Sequence, residues 1–469
     1  MNQNTTTYSF FRNGLIAMLF GLGIQATAQP ERPNILLIVA DDHRSDLIGK
    51  YHDIIKTPAL DTLCDRGMIF KNAYATTPIC AASRASILTG VTERTHGYTF
   101  GQPPVPASFV ASSYPQQLKS NGYRTGFIGK FGFKMKGDSA DLFNVYDDRK
   151  QAITERYQGK EIPQTHYIAN VACDFIEEAA HEHANQPWCL SVSFWNPHAH
   201  DQDTELQYHY PAEFDQLYAD VTIPPARLSD DASFNALPPF IKESMSRIRW
   251  AWRYDTPEKY QMMVKRHYRA ISAVDQGVQK IREKLAEHQL ANNTVIIYIG
   301  DNGYTINERQ LAGKWLGWNE CLNVPLIIAD PRIKAHHGKE CQKMALNIDL
   351  APTVCELAGI VVPSTYQGKS LLPLLQEKDP DWRSEFFFEH YYTAKGKIPR
   401  MEGIQTEAWK YVKFTETGFE QLYDLRNDSG ETTNLATTPS FANELSKLRS
   451  KTADYVSRYE APHSDLKHQ

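Results

Sequence analysis

Short apolar runs recur along the chain at 34–40, 124–128, 189–195, 294–300 and 324–329, several of them with no polar alternation. A strand with one wet face alternates apolar and polar positions, whereas an unbroken run suits a strand covered on both faces by helices. Ile271, Val274, Val278, Ile281 and Leu285 repeat at helical spacing and predict one long amphipathic helix ending near Asn292-Asn293. Strands alternating with helices in this way predict an α/β fold with a large, mostly parallel sheet flanked by helices. The periodicity fails over 201–257, a stretch rich in aromatic, acidic and proline residues and interrupted at Pro224-Pro225 and Pro238-Pro239. It is expected to be a long irregular insertion, a type of segment that shapes pockets on rigid scaffolds. Past Gly368-Lys369-Ser370 the texture changes to short β-like pieces at 385–388 and 409–414 and a terminal helix over 441–459. This predicts a smaller C-terminal α+β domain over 376–469, following a large domain over 29–375.

The N-terminus reads differently. Arg12 precedes an apolar run over 15–24, and Ala26-Thr27-Ala28 has the small-x-small form of a signal-peptidase site. Residues 1–28 are therefore expected to be an export signal, giving a periplasmic or secreted product. The run falls short of the ~20 residues that span a bilayer, and no later segment is long and apolar enough to anchor the chain in a membrane. A net charge of −5 provides no broad basic field, so no nucleic-acid partner is expected and an acidic polymer has to be bound locally. The 7 cysteines are too widely spread to form a zinc pattern.

Candidate chemistry begins at Pro78-Ile79-Cys80-Ala81-Ala82-Ser83-Arg84, which runs on into Ala85-Ser86-Ile87-Leu88-Thr89-Gly90. A helix starting at the cysteine sets Cys80 and Arg84 on one face. Its unpaired N–H groups and positive dipole end hold an anion beside residue 80. Four predicted strands also run into polar clusters: Asp41-Asp42, Gly129-Lys130, Asn196-Pro197-His198 and Asp301-Asn302. The carboxyl ends of parallel strands share one edge, and ligands of open α/β sheets bind outside it. Asp41, Asp42, Asp301 and Asn302 make a hard-oxygen set suited to one divalent cation, Ca²⁺ in preference to Mg²⁺. Arg84, Lys130 and Lys314 are the fixed cations for an anionic substrate, and His198 is a proton donor to a departing oxygen.

These segments resemble the formylglycine-dependent (type I) sulfatases of the alkaline-phosphatase-like superfamily, and the resemblance covers nearly the whole chain after residue 28. Cys80-x-Ala82-x-Arg84 with Leu88-Thr89-Gly90 is similar to the family signature. Asn34 to Asp42 resembles the opening strand and metal pair, and Asn121 to Lys130 the lysine-bearing strand. Pro197-His198 resembles the histidine turn, Asp301-Asn302-Gly303 the second metal pair, and Gly313-Lys314 with Glu320 and Val324-Pro325-Leu326-Ile327 the substrate-lysine segment. The resemblance implies that a separate maturation enzyme oxidises Cys80 to formylglycine, which then joins the metal set. One hydroxyl of its hydrate, activated by the cation and Asp301, attacks sulfur to give a covalent sulfate ester, and the other expels sulfate. Arg84 and Lys130 steady the hydrate; Lys314 and His198 meet the sulfate and protonate the leaving alcohol.

One position departs from the family pattern, which commonly has a histidine two residues after the lysine. Here the run is Gly129-Lys130-Phe131-Gly132, leaving His96 or His200 to stand in, or no substitute at all. The substrate expected is a sulfated carbohydrate. The stretches Glu389-His390-Tyr391-Tyr392 and Ile398-Pro399-Arg400-Met401-Glu402-Gly403 resemble those of bacterial polysaccharide sulfatases, which act on polymers such as glycosaminoglycans and ulvan. Two alternatives stand beside this reading: a phosphodiester or phosphonate monoester hydrolase of the same superfamily, and an inactive sulfated-glycan-binding protein in which residue 80 is never converted.

Overall fold

Eight strands build the main sheet: β1 (Asn34–Ala40), β2 (Met68–Phe70), β3 (Arg124–Gly129), β4 (Val145–Asp148), β5 (Trp188–Phe194), β6 (Thr294–Gly300), β7 (Leu326–Ala329) and β8 (Lys339–Cys341). The computed structural model describes residues 1–3, 32–101, 103–378 and 381–460, so the expected export signal lies outside the described residues apart from its first three. Across the sheet the order is β8-β2-β7-β6-β1-β5-β3-β4. β1 sits centrally, parallel to β5 with Ile35 opposite Cys189 and to β6 with Asn34 opposite Thr294. β3 continues the parallel set beside β5, and β4 beside β3.

The unbroken apolar run of β1 has a direct explanation in this sheet. Ile35, Leu37 and Val39 of β1 face one core with Ile87 and Leu88, while Leu36, Ile38 and Ala40 face another with Val274, Val278 and Ile281. Both faces are covered, so neither set of alternating positions can be polar. The strand expected at 324–329 is present from Leu326, but it runs antiparallel to both β6 and β2. The cause is the path of the chain: the segment after β6 stays at the carboxyl edge and delivers Lys314 there, so β7 must enter the sheet from that edge.

Five helices matter for the site and its support: α1 (Cys80–Thr89), α2 (Gln164–Glu182), α3 (Met245–Arg253), α4 (Pro257–Glu287) and α5 (Ala442–Tyr459). α4 starts well before its first predicted periodic residue, Ile271. Pro257 opens it without losing a needed N–H, and the Thr256 side chain accepts from Lys259 N at 3.2 Å. The stretch expected to be irregular contains α3, which forms where residues 240–256 hold neither proline nor glycine.

After the main sheet, β9 (Glu385–His390), β10 (Met401–Thr406), β11 (Trp409–Phe414) and β12 (Glu420–Asp424) form an antiparallel meander. Ile404, Tyr411 and Leu422 on one face bury against Leu445 and Leu448 of α5. Phe386, Phe388 and Val412 on the other pack with Leu316, Trp318 and Leu346. Among the described residues no helix is long and apolar enough to cross a membrane.

Candidate active site

β6, β1, β5 and β3 are neighbours in the sheet and point the same way, so the residues that follow them converge at one edge. Asp41 and Asp42 follow β1, Asp301 and Asn302 follow β6, Lys130 follows β3 and His198 lies just past β5. α1 starts at this edge: Ile79 is its extended N-cap residue and Cys80 its first helical residue. Ser83 Oγ donates to the Asp301 carbonyl and accepts from Asn347 Nδ2 at 2.9 Å, which fixes the first turn of the helix. The segment carrying Lys314 is tied to the same place, since Trp315 N donates to Pro78 O at 3.0 Å. Trp315 (φ +79°) and Asp42 (φ +62°) both hold left-handed backbone, a conformation costly for an L side chain and concentrated at functional sites. Asp42 is kept there by its own N–H, which donates to Asp301 Oδ1 at 3.1 Å.

Three carboxylates and three cations interlock at the edge. Arg84 Nε donates to Asp301 Oδ2 at 2.7 Å, Lys130 Nζ pairs with Asp41 Oδ2, and Lys314 Nζ pairs with Asp42 Oδ1 at 2.6 Å. Arg84 Nη1 also donates to Lys130 O at 2.8 Å and to Ser193 Oγ. Arg84 and Lys314 lie within electrostatic reach of Cys80. Burial alone raises the Asp41 pKa, but Lys130, His198, Lys314 and Arg84 outweigh it and hold the carboxyl far below its usual range. Asp301 is the reverse case: burial and the Asp41 charge push it up to about 6 against the pull of Arg84, Lys130 and Lys314. His198 Nδ1 faces Ala199 O at 2.6 Å and must carry a proton there, which turns Nε2 toward Asp42 Oδ2 at 3.7 Å. Burial lowers the His198 pKa despite Asp41 and Asp42, so its imidazolium is a stronger acid than usual.

The residues present fit a dication. Asp41, Asp42 and His198 bring ligand atoms within 4.8 Å of one another. Asp41 Oδ1 and Asn302 Oδ1 are buried acceptors with no hydrogen-bond partner, because Asn302 turns its Nδ2 to Asp42 Oδ1 at 2.7 Å. Buried acceptors are normally satisfied, and a cation would supply what these two lack. Asp301 differs, since both of its oxygens are already engaged by Asp42 N and Arg84. With Asp41, Asp42 and Asp301 balanced by Arg84, Lys130 and Lys314, a dication leaves the edge net positive, as an anionic ester requires.

At Gly132 (φ +82°) an added Cβ would lie 3.1 Å from Arg84 Cδ and 3.2 Å from Lys130 Cε, so a larger side chain there requires these two cations to shift. His96 bonds Ser86 Oγ at 3.1 Å and accepts from Tyr98 N. His200 stacks edge-on against His209. Both rings thus make these contacts with neighbours other than Cys80. Sequence reasoning missed Ser193 and Asn347, which anchor α1, and Trp195, whose ring lies under Lys130 Nζ at 4.2 Å. Short polar residues and a tryptophan carry no spacing signal of their own.

The fold and this edge define a hydrolase for esters of tetrahedral oxyanions. Residues 33–360 match the Sulfatase family model, and residues 308–457 match the model for the C-terminal region of N-sulphoglucosamine sulphohydrolase. The chain belongs to the sulfatase family, within the alkaline-phosphatase-like superfamily, and its enzyme class is sulfuric ester hydrolase. It is 25% identical over 508 residues to the N-acetylglucosamine-6-O-sulfatase of Bacteroides thetaiotaomicron, covering 92% of this chain and 89% of that relative. A solved structure in complex with D-glucosamine-2-N,6-O-disulfate shares the fold with a TM-score of 0.76 at 23% identity, covering 93% of this chain and 100% of the other. The phosphonate monoester hydrolase of Agrobacterium radiobacter shares it as well, with a TM-score of 0.76 at 22% identity and 91% and 96% coverage.

Proposed function

We propose that this protein is an exported enzyme that removes sulfate esters from a carbohydrate, using a formylglycine made from Cys80 by a maturation enzyme together with one bound Ca²⁺. The observation that carries this reading is the meeting of the α1 start with the Arg84–Asp301, Lys130–Asp41 and Lys314–Asp42 pairs at one sheet edge. The activities of the similar proteins favour a sulfated amino sugar. Tyr392, which packs against the cluster of Cys80 and Trp315, meets the ring of Phe100 at 5.0 Å, and Phe100 is 45% exposed. An aromatic rim of this kind suits the apolar face of a sugar ring.

In this reading the oxidised residue 80 supplies a hydrated aldehyde whose one hydroxyl attacks sulfur and whose other releases sulfate. Asp41, Asp42 and Asn302, with Asp301 beside them, would hold the cation, which would supply Lewis acidity toward the sulfuryl oxygens. The remaining work falls to the chain. Arg84, fixed by Asp301 and Ser193, and Lys130, fixed by Asp41, orient the hydroxyls. Lys314 faces the sulfate and holds its charge. His198 donates the Nε2 proton to the ester oxygen as the S–O bond breaks, so the sugar leaves as a neutral alcohol. A phosphonate or phosphodiester specificity is the second reading, favoured by the likeness to the Agrobacterium enzyme. Co-expression with a formylglycine-generating enzyme, followed by assays on sulfated glucosamines and aryl phosphodiesters, separates the two. Faster sulfate release is expected, and a phosphodiester preference overturns the reading.

A further inference from the structure

α3 lies over the mouth of this site. It packs on Ala312–Gly313, directly before Lys314. Met245, Arg249 and Arg253 recur every four residues and so share one face of the helix. Met245 packs against the cluster formed by Ile79, Cys80, Ala82 and Trp315. One turn on, the Arg249 guanidinium stands 4.7 Å over the Trp315 ring, which places a cation one side chain away from Cys80. A further turn on, Arg253 is wholly buried and fully occupied by Gln207, the Tyr304 hydroxyl and Asp201.

The charges around α3 do not balance. Asp201 is the one carboxylate that answers both guanidiniums, taking Arg249 through Oδ2 and Arg253 through Oδ1. Arg253 is sealed in, so the surplus positive charge rests on Arg249, whose side chain keeps 13% of its exposure. Its Nε has no hydrogen-bond partner, and an unmet donor on a half-neutralised, partly desolvated cation costs free energy that an anion would recover. Lys130, Lys314 and Arg84 are each matched one-to-one by a carboxylate; Arg249 is not. Asp201 lies in the same turn region as His198, three residues further along the chain, so the imbalance borders the leaving-group side of the pocket.

Resting on the sulfatase reading, we infer that Arg249 selects substrates bearing a second anionic group, a carboxylate or another sulfate, on or next to the sugar that carries the scissile sulfate. The flat guanidinium, held on the Trp315 ring and tethered at one nitrogen, presents its remaining donors to a planar or tetrahedral oxyanion. Binding that group turns the sugar so that its sulfate meets residue 80.

The test uses the full, matured protein and three substrates: an N-acetylhexosamine monosulfate, the corresponding N,O-disulfate, and a monosulfated hexosamine linked to a hexuronate. The wild type is expected to have a higher kcat/KM for one or both dianionic substrates than for the monosulfate. Which of them gains identifies the second group as sulfate or carboxylate. Arg249→Gln should lower that selectivity ratio by roughly tenfold or more, the scale of losing a partly buried charge contact, and Arg249→Lys, which keeps the charge but not the planar fork, should restore only part of it. A purely structural role for Arg249 lowers all three substrates together and leaves the ratio unchanged. That result, or a wild type with no preference, overturns the inference. A wild type that releases sulfate from none of the three instead fails the sulfatase reading and removes the inference with it. Melting curves of both variants confirm that the comparison is between folded proteins.

Discussion

Gly132 shows how a single residue marks a departure within a family. Its left-handed backbone disfavours any side chain, and the 3.1 and 3.2 Å approaches mean that one placed there pushes Arg84 and Lys130 aside. Here the two cations are buttressed by Ser193 and Asp41 instead. Installing the common family residue should therefore do harm. Gly132→His is expected to lower stability by roughly 1–2 kcal/mol through the backbone alone and to cut kcat about tenfold by displacing Arg84 and Lys130. Denaturant unfolding and steady-state rates check this, and a variant with native stability and an equal or higher rate contradicts it. At the cation site, Asp41→Asn removes the carboxylate that holds Lys130 and leaves Asp301 with one fewer acidic neighbour. It is expected to abolish stabilisation by Ca²⁺ in thermal melts; a shift equal to that of the wild type contradicts the assignment of Asp41 as a ligand.

At the scale of elements, polarity breaks made the site legible. Each of β1, β3, β5 and β6 passes abruptly from apolar to charged or amide residues, and those residues meet because parallel strands end together. The reversal of β7 was not legible, because burial on both faces gives parallel and antiparallel strands the same apolar pattern. α3 stayed hidden for a different reason: its lining residues Arg249 and Arg253 are charged, so the helix shows no apolar stripe toward the site. The contact of Arg84 with Ser193 bridges 109 positions of chain, a distance over which no local pattern reports.

The small sheet is coupled to this region through β9, where Glu389 N donates to Thr76 O and the Glu389 carboxylate takes Arg94 N at 2.7 Å and Arg94 Nε at 2.9 Å. Burial, opposed by Arg94, pushes the Glu389 pKa up to about 7. A carboxyl raised in the folded state contributes stability that is fully present below its unfolded pKa and lost as pH rises through the folded value. Glu389 should thus cost stability between about pH 4.5 and 7, on the order of 3 kcal/mol at most. Glu389→Gln mimics the protonated acid, so its stability relative to the wild type is expected to improve from pH 5 to pH 8. A constant difference across that range contradicts the coupling.

For the whole molecule, the carboxyl edge is a charge system that a bound cation would complete. Asp41 Oδ1 and Asn302 Oδ1 wait for a partner, so Ca²⁺ at one hundred times its dissociation constant should stabilise the fold by about 2.7 kcal/mol, and a chelator should remove the gain. Melting curves with and without Ca²⁺ test this, and an unchanged midpoint counts against the cation. The helix start at Cys80, the cation set and the three basic residues belong to one site only if they serve one reaction. The most direct measurement is sulfate release from a sulfated glucosamine by the matured wild type and by Cys80→Ala, assayed side by side with Ca²⁺ present. The wild type should release sulfate, and the variant should be slower by at least ~10³-fold while keeping its fold, as loss of a nucleophile demands. Equal release by both proteins, or none by the matured wild type, contradicts the account.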